Sequence, residues 1–596
     1  MVDDIDKRII DDLMAEEESL RFDDWLKEYK AKYPKRDANL VLEPVKQIMS
    51  NIKQGSKSFV VYGEPQSGKT EMMIALSCKL FDEGINTIFV LMHDIKTLQK
   101  QNFQDRFVRN ENFRVTPILA EEFSKTDETI RKNQNWLIFG RKNSSQMEKL
   151  IFETRMLKNK VILDDEADYA TPDSNLGKKR KVDPTKINQH MKKLVGDTGY
   201  YIGVTATPGR IDLNNTLYNE ADKWVFCEPG KGYTGVNYFF PEDPKEISQN
   251  YTLTLINPDV DYTIDLEKAI FRFMARNAYM NLRVNDERKF YSMVIHTHYK
   301  IEYHKEDRKT VQKIISVLQG NDVDKKRKLF ERILKETKKI YKDDEDLQFE
   351  IMKFIRDKSK SSTDLFTLNS QNDINDNIMA LKAPSQFTFI FGGNTLSRGV
   401  TFENLLSFYF SRSVKNALQQ NTYVQIARHF GYREDTGLEF ELTVPETIWE
   451  KWYTCFSSHE TSLDYAKSGN PLWIKHQFTH PADSASIDKE NVVAGSDGTL
   501  AFAKFKLTKE IEDLFCNTSK DPISKLRRFN SLTNDECFPR REIDRIENSI
   551  EDAFKSVDII LSKRKPGELR DITNQKLSPQ ELKEITRKRS LAPGTS

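Results

Sequence analysis

Residues 63–70 read Gly-Glu-Pro-Gln-Ser-Gly-Lys-Thr, between an apolar run, Phe59–Tyr62, and a helix-length stretch, Glu71–Phe81. That order constrains the chain to strand, tight loop and helix. The glycines let backbone N–H groups wrap a small anion, and the helix N-terminus adds partial positive charge at the same point. In this spacing Lys69 is expected to reach the β- and γ-phosphates of a nucleotide, and the Thr70 hydroxyl to coordinate Mg²⁺. The ligands expected are therefore ATP and Mg²⁺. The bland alternative is a glycine turn before a helix, and the strand and helix on either side argue against it.

The surrounding text alternates. Apolar runs at Phe59–Tyr62, Thr87–Met92, Trp136–Phe139, Val161–Leu163 and Tyr200–Val204 are separated by helix-length polar stretches. Such runs suit strands buried on both faces, and their spacing suits βαβ units. A second series follows at Tyr291–Ile295, Phe387–Phe391, Leu405–Phe410 and Phe440–Val444. The fold class expected is α/β, with two parallel sheets in tandem over 39–240 and 241–450. A charged segment, about 300–383, reads as helices inserted into the second lobe. Residues 451–596 read as a C-terminal extension with a basic tail, where Ser578-Pro579-Gln580-Glu581 fits a capping box. Residues 1–38 form an acidic lead. Leu20, Phe22, Trp25, Leu26 and Tyr29 give it one amphipathic helix, to pack on the body or to bind a partner.

Composition narrows the function classes. Lys plus Arg total 92 against 91 Asp plus Glu, for a net charge of +1. A globally basic binder is excluded; a local basic groove is not. No apolar run approaches membrane-spanning length, and the opening MVDDIDKRIIDD has acids where a signal peptide would be basic. The expectation is an intracellular, cytoplasmic protein with no membrane partner, or a nuclear one in a eukaryotic host. Cys78, Cys227, Cys455, Cys516 and Cys537 are scattered and form no C-x-x-C, as reduced thiols would be.

Further along, Val161–Leu163 runs into Asp164-Asp165-Glu166-Ala167-Asp168, an apolar strand ending in carboxylates. Asp165 would join Thr70 in holding Mg²⁺, and Glu166 would orient and polarise the attacking water. Thr205-Ala206-Thr207-Pro208 closes the next run. Small hydroxyl residues there can couple the acidic site to a neighbouring domain. In the distal half, Arg428 and Arg433 flank a glycine. Arginines at such a place can stabilise charge developing on a γ-phosphoryl across a cleft.

As a set these residues resemble superfamily-two helicases and translocases, which have two RecA-like P-loop lobes. More narrowly they resemble the Z-one domain proteins, which carry an endonuclease label. The matching strings are GEPQSGKT, GRKN at 140–143, LDDEADYATPDSN at 163–175, YIGVTATPG at 201–209 and PGKGYTGVNYFF at 229–240. VIHTH at 294–298, GGNTLSRGVTFENL at 392–405 and RHFGYRE at 428–434 complete the set. The resemblance spans about 45 to 445. It implies an ATP site of Gly63, Gln66, Ser67, Gly68, Lys69 and Thr70 with Asp165 and Glu166. It also implies finger arginines at Arg428 and Arg433, Arg398 in a loop that senses both lobes, and coupling through Thr205, Thr207 and Gln425. The family is associated with restriction-like, phage-defence cassettes that include a separate nuclease, a methyltransferase or a MORC-type ATPase.

In such motors a strand crosses the tops of both lobes and contacts go to phosphates. The candidates are His93 and Gln101, then Arg141, Lys142 and Asn143, then Thr297 and His298. Lys178-Lys179-Arg180-Lys181-Val182 reads as a nucleic-acid-facing loop or a solvated charge run, with a nuclear import signal as the weaker alternative. The function expected is a nucleic-acid-stimulated ATPase that translocates on DNA, with RNA as the other candidate substrate, in a restriction-like defence system. Three alternatives stand beside it: a virus- or phage-encoded helicase for replication, recombination or transcription, an ATP-switched DNA clamp, and a nuclease with a cryptic site. Each strong carboxylate cluster is already assigned to ATP, so cleavage is expected from a partner chain.

Overall fold

The computed structural model describes residues 20–93, 107–176, 183–241, 243–257, 262–283, 289–298, 301–370, 373, 376–393, 402, 404–412, 418–420, 423, 429–432, 436–469, 471–475, 479–482, 487, 492–494, 508–516 and 522–533. The chain divides into two compact units. One is Met1–Glu460 with Phe478–Ile487, and the other is Thr461–Gln477 with Asp488–Ser596.

In the larger unit two helices, α1 (Arg21–Lys32) and α2 (Asn39–Lys53), precede the first sheet. The phosphate loop joins β1 (Ser58–Gly63) to α3 (Lys69–Asp82). Then follow β2 (Thr87–Met92), β3 (Ile118–Leu119), β4 (Trp136–Arg141), α4 (Ser144–Glu153), β5 (Lys160–Asp165), α5 (Lys186–Val195), β6 (Tyr200–Thr205) and β7 (Val225–Cys227). All pairings are parallel, in the order β3-β4-β2-β5-β6-β1-β7. Successive side chains on a strand face opposite ways. β2 accordingly sends Ile88 and Val90 into the layer with α1, α2 and α3, and Phe89 and Leu91 into the layer with α4 and α5. The amphipathic lead helix packs on the body, with Trp25 and Tyr29 buried in that first layer.

After a short strand, β8 (Tyr233–Thr234), the chain builds a second parallel sheet. Its elements are β9 (Thr252–Ile256), α6 (Tyr262–Arg283), β10 (Tyr291–His296), α7 (Ile301–Gln319), α8 (Val323–Ile340), α9 (Glu345–Lys358), β11 (Thr363–Leu368), β12 (Phe387–Gly392) and β13 (Leu405–Phe410). The short strands β14 (Leu418–Gln419) and β15 (Gly431–Tyr432) precede β16 (Glu441–Pro445). The order is β11-β12-β10-β13-β16-β9. The chain therefore folds as two RecA-like lobes in tandem.

The charged insertion forms the expected helices but differs from expectation at its end. Its helices α8 and α9 also bury one face: Leu329, Ile333, Ile351 and Ile355 share a core with Phe271 and Met274 of α6. Its last part is not helical, because Thr363–Leu368 forms the edge strand β11. The smaller unit pairs Trp473–Lys475 with Val492–Ala494 and carries helices Lys509–Cys516 and Pro522–Leu532. The capping box at 578–581 lies outside the described residues, as do Cys537 and the basic loop 178–182. Among the described residues no helix is long and apolar enough to cross a membrane.

Candidate nucleotide site and its connections

Three adjacent strands, β5-β6-β1, end side by side. They deliver the carboxylates, the threonine pair and the phosphate loop to one sheet edge. Register fixes this: Asp165 lies beside Val204, and Thr205 beside Tyr62. Ligands of open α/β sheets bind beyond the carboxyl ends of the strands, where this edge lies.

The loop adopts two left-handed positions, Gln66 at φ 61° and Gly68 at φ 107°. Gly63 is required by crowding, since a Cβ there would sit 2.9 Å from Lys69 Cγ and 3.0 Å from Ser67 Oγ. Lys69 curls over the loop and donates to the carbonyls of Gly63 at 2.9 Å and Glu64 at 2.7 Å. Burial pulls its ammonium down from its usual range, and Asp165, Cys227, Glu166 and Glu64 oppose that shift. Gln66 Nε2 and Ser67 Oγ are buried without a hydrogen-bond partner among the described residues. Unused donors, a cation and a helix N-terminus converge, and this set suits a phosphate. Thr70 stands in the first turn of α3.

At the end of β5, burial pushes the Asp165 carboxyl above its ordinary value, with Lys69 and then Lys142 pulling it back. Among the described residues no three His, Cys, Asp or Glu side chains form a metal cage. Thr70 with Asp165 is the kind of sparse protein share that Mg²⁺ takes when phosphates and water complete its shell. Glu166 turns left-handed, at φ 49°, a conformation that costs roughly 1–2 kcal/mol outside glycine. Asp168 accepts from Thr205 Oγ1 at 2.9 Å, and Thr205 Oγ1 in turn accepts from Thr207 N at 2.9 Å. Arg210 donates to the Asp168 carbonyl at 3.0 Å. Both threonines are buried, so the pair is wired to the acidic turn.

The expected nucleic-acid residues fare unequally. Lys142 is a correction. Its side chain is 0% exposed and lies 3.0 Å from Asp164 Oδ1. A cation withdrawn from solvent cannot meet a passing phosphate. Thr297 is also withdrawn: it is buried and its hydroxyl bonds Asp307. Arg141 pairs with Glu121 at 2.8 Å, and Asn143 caps α4 by accepting from Gln146 N at 2.9 Å. His93 stacks on Tyr169 with centroids 3.7 Å apart. His298 stacks on Tyr303 at 4.1 Å, and its carbonyl accepts from His304 Nε2 at 2.6 Å. Gln101, Arg398, Gln425, Arg428 and Arg433 lie outside the described residues.

Sequence reasoning missed a link between the distal string and the phosphate loop. β15 pairs antiparallel with β8, Gly431 opposite Thr234 and Tyr432 opposite Tyr233. Tyr432 OH accepts from Gly230 N at 3.1 Å, and its ring meets Tyr233 edge-on at 5.6 Å. Tyr233 donates to the Pro65 carbonyl, and Glu64 accepts from Val236 N at 3.1 Å. Tyr233–Thr234 from one string and Gly431–Tyr432 from the other thus form one short ribbon seated on the loop. Their glycines and aromatics were the available signal.

Residues 265–465 match the Z1 domain family, and residues 42–210 match the family described as type III restriction enzyme, res subunit. No curated protein matches the chain. Among solved structures, the chain is similar to the Mycobacterium smegmatis helicase Lhr bound to ssDNA and AMP-PNP, at 11% identity and a TM-score of 0.38 over 72% of this chain and 48% of that one. It is similar to S. cerevisiae Dbp5 bound to RNA and ADP BeF3, at 12% identity and 0.35 over 67% and 83%. It is also similar to the DUF1998 helicase MrfA bound to DNA, at 11% and 0.41 over 76% and 59%. The chain spans about half the length of the mycobacterial protein.

Proposed function

We propose that this chain, which carries a Z1 domain behind a restriction-type helicase segment, is an ATP-driven motor that moves along or remodels nucleic acid. One observation carries the reading. The phosphate loop, the Asp165–Glu166 pair and the Thr205–Thr207 pair end three neighbouring strands, with Lys69 and Asp165 close enough to shift each other's ionisation.

Roles follow from position. Lys69 exchanges its two loop carbonyls for the β- and γ-phosphate oxygens of ATP. Gln66 and Ser67 supply the donors left without partners. Thr70 and Asp165 would hold Mg²⁺, which when bound neutralises charge on those oxygens. Glu166 orients and polarises the attacking water. Thr205 and Thr207 carry the state of the acidic turn through Asp168. Arg428 and Arg433 are proposed to stabilise the transferring phosphoryl, and Arg398 to sense it, with Gln425 as a coupling residue. Of the nucleic-acid candidates, Arg141, Asn143 and His298 are retained. The match over 42–210 supports a restriction-like setting; cleavage is assigned to a partner chain because each strong carboxylate cluster here is taken by the ATP site.

The test is ATPase activity with single-stranded DNA, duplex DNA and RNA, run beside Lys69→Ala. Stimulation by at least one nucleic acid and near-complete loss in the variant are expected, because phosphoryl transfer without that lysine loses positioning and charge together. A rate indifferent to every nucleic acid would overturn the reading.

A further inference from the structure

Lys142 follows a buried strand in a string, Gly140-Arg141-Lys142-Asn143, that reads as surface. In the fold, three acceptors surround its ammonium. Nζ donates to the carbonyls of Asp165 at 2.8 Å and Glu166 at 2.7 Å, and lies 3.0 Å from Asp164 Oδ1. Two protons of the ammonium are thus spent on carbonyls, and the Asp164 carboxylate supplies the counter-charge beside it. Asp164 is equally committed. Its Oδ2 accepts from Thr171 Oγ1 at 2.6 Å and Tyr201 OH at 2.8 Å, and it is 0% exposed. Neighbouring residues of β5 face opposite sides, so Asp164 does not share the site that Asp165 faces.

We infer that Lys142, held by Asp164, is a positioning residue that clamps the two peptide carbonyls of the Asp165–Glu166 pair. The inference deepens the ATPase reading and rests on it for the word catalysis. The clamp falls where the backbone most needs it. β5 ends at Asp165, and Glu166 departs at φ 49°. The Glu166 carbonyl also accepts from Tyr169 N at 2.8 Å, closing the turn from the other side. An apolar residue at 142 would leave both carbonyls without this donor and Asp164 without a counterion.

Lys142→Met alone would strand a buried carboxylate, so the informative variant is Lys142→Met with Asp164→Asn, which removes both charges. Three quantities are compared with wild type: ATP affinity, kcat, and amide hydrogen exchange over residues 165–169. The clamp predicts near-native ATP affinity, kcat lower by about 10–100-fold, and faster exchange. Native kcat and native exchange in the double variant would overturn the inference, since a purely structural ion pair is replaceable by a neutral pair. Wild-type protein without ATPase activity would sink the motor reading instead. Exchange over 165–169 would still decide the clamp. Should the double variant fail to fold, Lys142→Arg keeps the charge but replaces the compact donor with a planar fork; native kcat and exchange there would equally overturn the clamp.

Discussion

Glu64 of the phosphate loop occupies the space that a side chain at Gly235 would need. A Cβ built on Gly235 falls 2.2 Å from Glu64 Oε2 and 2.4 Å from Tyr233 Cε1. The same carboxylate accepts the N–H of Val236. Burial raises the Glu64 carboxyl, and that N–H and Lys69 oppose the shift. The loop and the ribbon that joins it to the second lobe therefore fit together at one glycine.

Gly235→Ala should push Glu64 and the loop out of place and weaken ATP binding about tenfold, a loss typical of a misplaced positioning group. Adding Glu64→Ala removes the closer overlap and should return part of that loss, with the Tyr233 ring preventing full recovery. Titration with a fluorescent ATP analogue reads both. A tolerated Gly235→Ala would show that the ribbon gives way instead.

Glu166→Gln should retain ATP binding and lower kcat by about 10²–10⁴-fold, the usual share of a positioned general base. In wild type the acid limb of kcat/KM, which reports the free enzyme, is expected above the ordinary carboxylate range, because burial raises Asp165 and its protonated form lacks the charge needed for Mg²⁺. A limb at or below the range of free aspartate would contradict that assignment.

Asp307 gives a pH dependence that is independent of turnover. Burial raises its carboxyl from 3.8 to about 6, with the Thr297 hydroxyl opposing. The folded state therefore binds the proton more tightly than the unfolded chain. The favourable contribution is full below the unfolded value and fades as pH rises toward about 6. Relative to Asp307→Asn, wild type should lose on the order of 2–3 kcal/mol between pH 4 and pH 8. Urea unfolding of both proteins across that range measures the difference, and parallel curves would contradict it.

Glu441 has the opposite sign. Burial would raise it, but Arg272 at 2.7 Å and Arg276 at 3.5 Å more than offset this, so its carboxyl sits below the usual range. Its contribution is full above the unfolded carboxylate value and is lost as pH falls through the depressed folded value. Glu441→Gln leaves Arg272 with Glu336 and Arg276 with Glu439 as their remaining carboxylates and should cost about 1–3 kcal/mol at pH 7. Thermal unfolding of the second lobe, followed by hydrogen exchange, would show it.

Much of this fold is legible in the text because buried parallel strands are written as unbroken apolar runs, as in Thr87–Met92 and Leu405–Phe410. Edge strands are not. Thr252–Ile256 alternates and leaves Leu255 43% exposed, and Thr363–Leu368 follows directly on charged helices. The phosphate loop and the acidic strand end are legible because their chemistry is local. Lys142 is not, since its burial depends on Asp164 and on carbonyls two strands away in the sheet order β4-β2-β5. Its neighbour Asp164, an acid at an inward strand position, was the sign that a cation was required.

The bonds from Lys69 to its own loop carry a consequence for how nucleotide arrives. The loop does not stand open around a repelling gap; its peptide oxygens are already satisfied by the side chain that will leave them. Loading is then a barter of oxygens at a preformed ring. Between cycles the ring should keep its shape, so arrival rates ought to be governed by diffusion and lobe spacing rather than by refolding of the ring.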